Sequence, residues 1–384
     1  MPIEATVDLT QPPPGLMRAP QSVDIAITGR CNLHCQYCFY ADEMVAHRDL
    51  PTARWTAFFQ EVGELAVQRV TLTGGEAFTR PDLFELIDGV IAQRMRYSLL
   101  SNGTLLTGRV LDQFEMGRRR KRLDSIQVSI DGSCAEVHDR SRPGSFDQAL
   151  RGLRLLVERG FPVTVRVTVN RHNVDDLEGV ARLLLEEVGL PSFSTNEAFP
   201  MGSAKCSGGS VVLTRQERQR AMDTLLVLSQ RYDGRISANA GPLALAHELA
   251  DLQARLARGE TERPDRGTLA SCGGVFSKLD VQHDGTIVPC HLLPELPMGR
   301  VGEVSLQNVW LHHPAINTVR QRRSLPTRSL PTCGDCRYAG FCNGGCPGAV
   351  MVQAGELNAR DPMGCFRILL GEDSVTDRRM GGRA

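Results

Sequence analysis

The sequence carries no surplus of either charge: 44 Lys+Arg stand against 44 Asp+Glu over 384 residues. A chain with zero net charge has no global attraction for phosphate backbones or anionic lipid, which argues against a non-specific nucleic-acid binder. It also lacks any stretch near the ~20 apolar residues of a membrane span. Met1 to Gln21 contains Pro12, Pro13 and Pro14 but no apolar signal core, so this N-terminal arm (1–21) reads as mobile, on a protein that stays in the cytoplasm. No repeat of solenoid length is present, and the nine histidines include no His-x3-His pair. Aromatics are scarce at 5 %, yet 41 % of residues are hydrophobic, enough for a soluble globular chain with two or three cores.

Cysteine is what the sequence has in quantity, 12 in all. In a reducing compartment cysteines two or three apart are metal ligands or reactive thiols rather than disulfides. Cys31, Cys35 and Cys38 cluster early, Cys134 and Cys206 stand alone, and seven fill the last third. Between Ser22 and Thr195, six short Val/Ile/Thr/Leu-rich runs (23–28, 69–73, 97–101, 125–130, 163–170 and 191–195) alternate with amphipathic helical patterns at 53–67, 82–94, 108–118, 146–159 and 174–188. Alternation of this kind predicts parallel strands with right-handed crossovers, hence a barrel or an incomplete one. Polar and Gly-rich segments follow the strands and converge on the C-terminal face, where such folds place their chemistry.

Cys31-Asn-Leu-His-Cys35-Gln-Tyr-Cys38 offers three thiolates within eight residues. A structural zinc site wants four closed ligands, for which His34 is a candidate, whereas an iron–sulfur cube held by three leaves one iron open. The Cys31-x3-Cys35-x2-Cys38 spacing, with Tyr37 before the last cysteine, resembles the signature of the radical S-adenosylmethionine (radical SAM) superfamily. The resemblance implies a 4Fe-4S cluster that cleaves S-adenosylmethionine to a 5′-deoxyadenosyl radical. It also implies cofactor contacts at Tyr37, at Gly75 and Glu76 of Gly74-Gly75-Glu76, at Asn102 of Asn102-Gly103-Thr104, and at Ser129 of Ser129-Ile130-Asp131-Gly132. Ala77 stands where the family usually has proline. Arg166, in the fifth strand, suits the cofactor carboxylate. The plainer readings are a helix-terminal carboxylate for Glu76 and a turn former for Asn102.

The last third reads Cys272-x12-Gly285-x4-Cys290, then Cys333-x2-Cys336-x5-Cys342-x3-Cys346 and, after 18 residues, Cys365. Paired cysteines alone leave zinc open. The full order resembles the SPASM extension of radical SAM enzymes, which holds two auxiliary 4Fe-4S clusters. On that resemblance Cys333, Cys336, Cys342 and Cys365 ligate the outer cluster and Cys272, Cys290 and Cys346 the inner one. The fourth inner position is either open or filled by a distant group such as Cys206. His291, where sulfatase-maturing relatives have Asp, is a candidate base. Two strands are predicted around the turn His283-Asp284-Gly285.

The fold expected is α/β: a partial (β/α)6 TIM-like barrel (22–232), a helical linker region (233–266) and a small cysteine-rich SPASM domain (267–384). The function implied is modification or crosslinking of a ribosomally synthesised peptide. The alternatives are small-molecule or cofactor (tetrapyrrole-like) biosynthesis and, from another class, a zinc-binding interaction protein. A peptide substrate, a separate leader-binding protein and an electron donor such as flavodoxin or ferredoxin are the expected partners, with no membrane and no nucleic acid. The basic run Arg118 to Arg122 is a candidate leader contact, though such runs more often solvate a helix end.

Overall fold

A computed structural model describes residues 8–372 except 47, 207–209 and 271. Its centre is one nine-stranded sheet of β1 (Ser22–Thr28), β2 (Arg69–Gly74), β3 (Arg96–Ser101), β4 (Leu123–Ser129), β5 (Val163–Val169), β6 (Phe193–Glu197), β7 (Ile236–Ala238), β8 (Lys278–Val281) and β9 (Ile287–Val288). The order is β7-β6-β5-β4-β3-β2-β1-β8-β9. Every pair is parallel except the hairpin β8–β9. β7 and β9 are edges, so the barrel is open.

The six expected strands are all present. The sheet is wider than they predict on both sides. β7 falls inside 233–266, the region expected to be helical, where the structure also places helix Pro242–Ala257. β8, from the cysteine-rich third, pairs with β1 through Ser22↔Lys278 and Ile25↔Val281. The expected helix at 174–188 divides into Leu177–Arg182 and a π turn, Leu183–Glu187.

Period-two alternation gives the sheet two unlike faces. Ile25, Leu72, Leu99 and Ile126 are register neighbours across β1 to β4, all fully buried. They join one core with Trp55, Phe58, Phe59 and Val62 of helix Thr52–Glu64 and with Leu83, Leu86, Ile87 and Val90 of helix Leu83–Ala92. The neighbouring row, Asp24, Thr71, Ser98 and Ser125, is polar and half-buried. A closed barrel fills its interior with branched apolar side chains. Here the face opposite the helices is polar.

The described part of the N-terminal arm is docked rather than mobile, while residues 1–7 lie outside the described residues. Trp310 Nε1 donates to the Met17 carbonyl at 2.8 Å, and Asn317 Nδ2 donates to the Leu9 carbonyl at 2.9 Å. Buried side-chain donors need acceptors, and extended backbone supplies them without any sequence pattern. Asn317 is fully buried and also accepts from Arg320 Nη1 at 2.9 Å. Asn317→Ala is expected to cost about 1–3 kcal/mol, the penalty of stranding such partners; equilibrium denaturation of the holoenzyme measures it.

The basic run is structural. Arg119 forks onto Asp88 at 2.8 and 2.6 Å, Arg120 lies over the Phe161 ring, and Arg122 Nη1 donates to the Arg94 carbonyl. Three of the run's five cations are thus held by the fold, while Arg118 and Lys121 are exposed. Among the described residues no helix is long and apolar enough to cross a membrane.

Candidate cluster and cofactor site

The first cysteine loop leaves the C-terminal end of β1. Thr28 Oγ1 and the Gly29 amide each donate to the Asp49 carboxylate at 2.7 Å, fixing the strand's exit. The segment after β2 is laced to the same exit: the Gly75 amide donates to the Thr28 carbonyl and the Glu76 amide to the Arg30 carbonyl, both at 2.8 Å. A Cβ at Gly75 would sit 2.3 Å from the Arg30 oxygen and 3.1 Å from Cys31 Cβ, so only glycine allows this approach. The thiols are near enough to act on one another; burial, then Cys35 and more weakly Cys31, pushes Cys38 up to about 11.

Glu76 is buried. Its Oε1 accepts from Ser101 Oγ (2.9 Å) and the Phe78 amide (3.2 Å), and its Oε2 from the Asn102 amide (2.7 Å). With one donor, Oε2 has room for an ammonium N–H. Asn102 Nδ2 donates to Asn32 Oδ1 at 2.9 Å, while its Oδ1 accepts from Thr104. That side chain thereby ties the end of β3 to the cysteine loop.

Tyr37 is buried against Ala198, Ala204, Val211 and Val212, and its hydroxyl donates to Asp131 and accepts from Arg142 Nε. The motif suggested a cofactor contact for Tyr37; its hydroxyl is instead spent inside the protein. Asp131 Oδ1 accepts from the Thr168 amide at 2.7 Å, and the Asp131 amide donates to His138 Nδ1 at 3.0 Å. That bond makes Nδ1 an acceptor, leaving Nε2 to donate to Ser145 Oγ at 3.0 Å. Burial pushes the His138 imidazole down to about 4. Between its ordinary value of 6.5 and about 4 the unfolded chain binds a proton that the fold refuses. Stability is therefore full above pH 6.5 and falls on acidification, by about 1.4 kcal/mol per pH unit. His138→Gln is expected to flatten this fall, compared by chemical denaturation at pH 7.5 and 5.5.

Ser129 and Arg166 are register partners on β4 and β5, and Arg166 pairs onward with Ser194 on β6. They share the polar face. Arg166 Nε is buried with no hydrogen-bond partner, and Arg166 makes no ion pair among the described residues. Burial pushes its guanidinium down from its ordinary value. Arg166 is half-buried, and a guanidinium whose Nε is shielded from water without a partner is costly unless a ligand supplies an acceptor. Arg166→Met is expected to weaken S-adenosylmethionine binding about 10- to 100-fold, the ~1.5–3 kcal/mol of a hydrogen bond to a charged group, as read by calorimetry on anaerobic holoenzyme.

In the last third, hairpin β8–β9 delivers Cys290 and His291. The His291 amide donates to Asp280 Oδ2 at 2.7 Å, and both ring nitrogens are buried without a partner. Its ring lies 5.7 Å from that of Tyr40, whose hydroxyl meets His283 Nδ1 at 2.8 Å. The seven thiols fall into two sets. Burial, then Asp280 and more weakly Cys346, raises Cys290, and Cys272 acts on Cys346. Burial, then Cys365, Cys333 and Cys336, pushes Cys342 up to about 12. These last four line one cavity with Leu330, Tyr338 and Phe366. Among the described residues no three His, Cys, Asp or Glu side chains are arranged to hold one metal ion.

Cys206 ends the short helix Ser203–Cys206, whose Ser203 amide donates to the Cys38 carbonyl at 3.0 Å. That packs its helix beside the first cysteine loop. Cys134 precedes helix Ala135–Ser141 and bonds Glu136. Asp131 with Arg142, His138 and Asp280 are site residues that the motifs did not single out; each is recognisable only from its burial and partners.

An open parallel sheet with a three-thiol loop at its rim and two further thiol sets defines an iron–sulfur enzyme. Residues 25–184 match the Radical SAM superfamily, and residues 272–337 match SPASM, an iron-sulfur cluster-binding domain. The chain belongs to the radical SAM superfamily and carries a SPASM domain; its cofactors are 4Fe-4S clusters and S-adenosylmethionine. This membership sets aside the zinc-binding interaction protein. A PqqA peptide cyclase of Ruegeria pomeroyi is 28 % identical over 357 residues, covering 91 % of this chain and 88 % of the relative. An AdoMet-dependent heme synthase of Methanosarcina barkeri is 25 % identical over 360 residues, covering 92 % and 98 %. Among solved structures, SuiB of Streptococcus suis bound to precursor peptide SuiA aligns with TM-score 0.68 at 14 % identity, covering 91 % of this chain and 77 % of SuiB. At that identity it shares the fold.

Proposed function

We propose that this enzyme matures a ribosomally synthesised peptide in the cytoplasm. Bound S-adenosylmethionine supplies the 5′-deoxyadenosyl radical that takes hydrogen from a substrate carbon. Cys31, Cys35 and Cys38 hold the first cluster, Glu76 Oε2 accepts from the cofactor ammonium, and Arg166 with Ser129 receives its carboxylate. Gly75 admits the close approach of the backbone, and the backbone of Tyr37 and Asn102 faces the cofactor while their side chains brace the loop. Cys272, Cys290 and Cys346 hold the inner auxiliary cluster, and Cys333, Cys336, Cys342 and Cys365 the outer one. His291 takes the substrate proton on a ring nitrogen. A flavodoxin or ferredoxin delivers electrons, and a separate protein presents the leader.

The observation that carries the cofactor chemistry is the unpartnered Arg166 Nε beside Ser129 on the polar face. The likeness to PqqA peptide cyclase along 91 % of the chain supports a peptide as substrate. The heme synthase relatives favour a second reading, a tetrapyrrole. Anaerobic co-expression with short peptides encoded beside the gene, followed by mass spectrometry, distinguishes them. Loss of hydrogen mass from a peptide is expected. An unchanged peptide together with conversion of a tetrapyrrole by the purified enzyme overturns the reading.

A further inference from the structure

We propose that Arg142 is a positioning residue for the first cluster, directing a guanidinium N–H at Cys35 and raising the potential at which that cluster accepts an electron. The inference rests on Cys31, Cys35 and Cys38 being the ligands of that cluster.

Arg142 follows helix Ala135–Ser141 and is nearly buried, with Nη1 3.7 Å from Cys35 Sγ. Its other contacts leave it little freedom. Nε donates to the Tyr37 hydroxyl at 2.6 Å and to Asp131 Oδ2, and the guanidinium carbon lies 5.3 Å from the centre of the Tyr37 ring. Asp131 is fully buried and anchored by the Thr168 amide. Tyr37 sits between Cys35 and Cys38 in sequence, so the loop that supplies the thiols also grips the cation that faces them.

A buried ion pair is weak evidence for stability, because desolvating both charges costs several kcal/mol that the attraction barely offsets. The arrangement instead gives a directed charge. Arg142 Nη1 faces Cys35 Sγ at 3.7 Å, whereas Asp131 holds the guanidinium through Nε. The positive end of the pair is therefore the one that meets the sulfur, even though the pair as a whole is neutral. Hydrogen bonds to cluster sulfurs and local charge set cluster potentials. Both favour the reduced, more negative state here.

The test uses anaerobic holoenzyme. With ¹⁵N-arginine labelling, pulsed ENDOR on the reduced signal that responds to S-adenosylmethionine is expected to show an arginine nitrogen coupling, absent in Arg142→Lys. Lysine preserves the charge beside Asp131, so the fold is retained. In an EPR redox titration the charge-neutral double variant Asp131→Asn/Arg142→Gln is expected to move that signal to more negative potential, leaving the auxiliary clusters unmoved. Arg142→Lys is expected to move it the same way by less, and decides the matter if the double variant does not load iron. A parent without the coupling, a coupling that survives in Arg142→Lys, or a parental potential in the variants overturns the proposal. Failure of the ligand assignment shows separately, as unimpaired cofactor cleavage by Cys35→Ala.

Discussion

Cys35→Ala is expected to reduce 5′-deoxyadenosine release to the level of a no-enzyme control while the C-terminal thiol sets keep their iron. The first loop offers three thiols, and a cube held by three ligands tolerates no further loss without surrendering the cluster. The effect is confined because the loop has its own supports. It is braced by Asp49 below, by the Gly75 and Glu76 amides at its side and by Asn102 through Asn32, none of which involves the last third's thiols. Iron content is thus expected to fall by about a third, the share of one cluster in three, with no loss of soluble protein. Chromatography with mass detection, using dithionite as reductant, reads the cleavage, and iron assay reads the loading. Release at the parental rate would show that these thiols do not hold the cleaving cluster.

The elements with a local cause were legible in the sequence. β5 is a Val/Thr run closed by Asn170, and β1 a Val/Ile run ending at Gly29; their bounds were predicted to within a residue or so. The thiol sets were legible because their spacing is a local property. What depends on distant partners was not. β7 is three residues long, too short for any periodicity to register. β8 finds β1 across the whole chain, its Lys278 ammonium meeting Asp24 Oδ2 at 2.6 Å, and nothing near Lys278 announces that pairing. The same holds for Arg142, bonded to Tyr37 105 residues away. Arg142 follows an ordinary surface-looking helix, and only burial turns it into part of a site. The N-terminal arm misled for a related reason: proline-rich backbone has no amphipathic pattern, yet its carbonyls are what Trp310 and Asn317 require.

Cys290→Ala is expected to leave cofactor cleavage at the parental rate and to abolish formation of modified substrate. Cys290 and the first loop are joined through β1: the strand that ends in the cysteine loop pairs with β8, and β8 turns through His283 into β9 and Cys290. Tyr40, two residues beyond Cys38, clasps that turn at His283. This linkage holds the two regions in fixed relation but passes through backbone and the Tyr40 hydroxyl, none of which Cys290→Ala alters. What the substitution removes is one of three thiols around the inner site, next to the half-buried His291, whose ring nitrogens are unpartnered. Electron removal from the substrate after hydrogen abstraction would then have no acceptor at the right place, so the cofactor would be consumed without product. The readout is the ratio of 5′-deoxyadenosine to modified peptide, by mass spectrometry of the same reaction. A ratio equal to the parent's, with full yield of modified peptide, would take the inner thiols out of the reaction and reduce them to a structural brace.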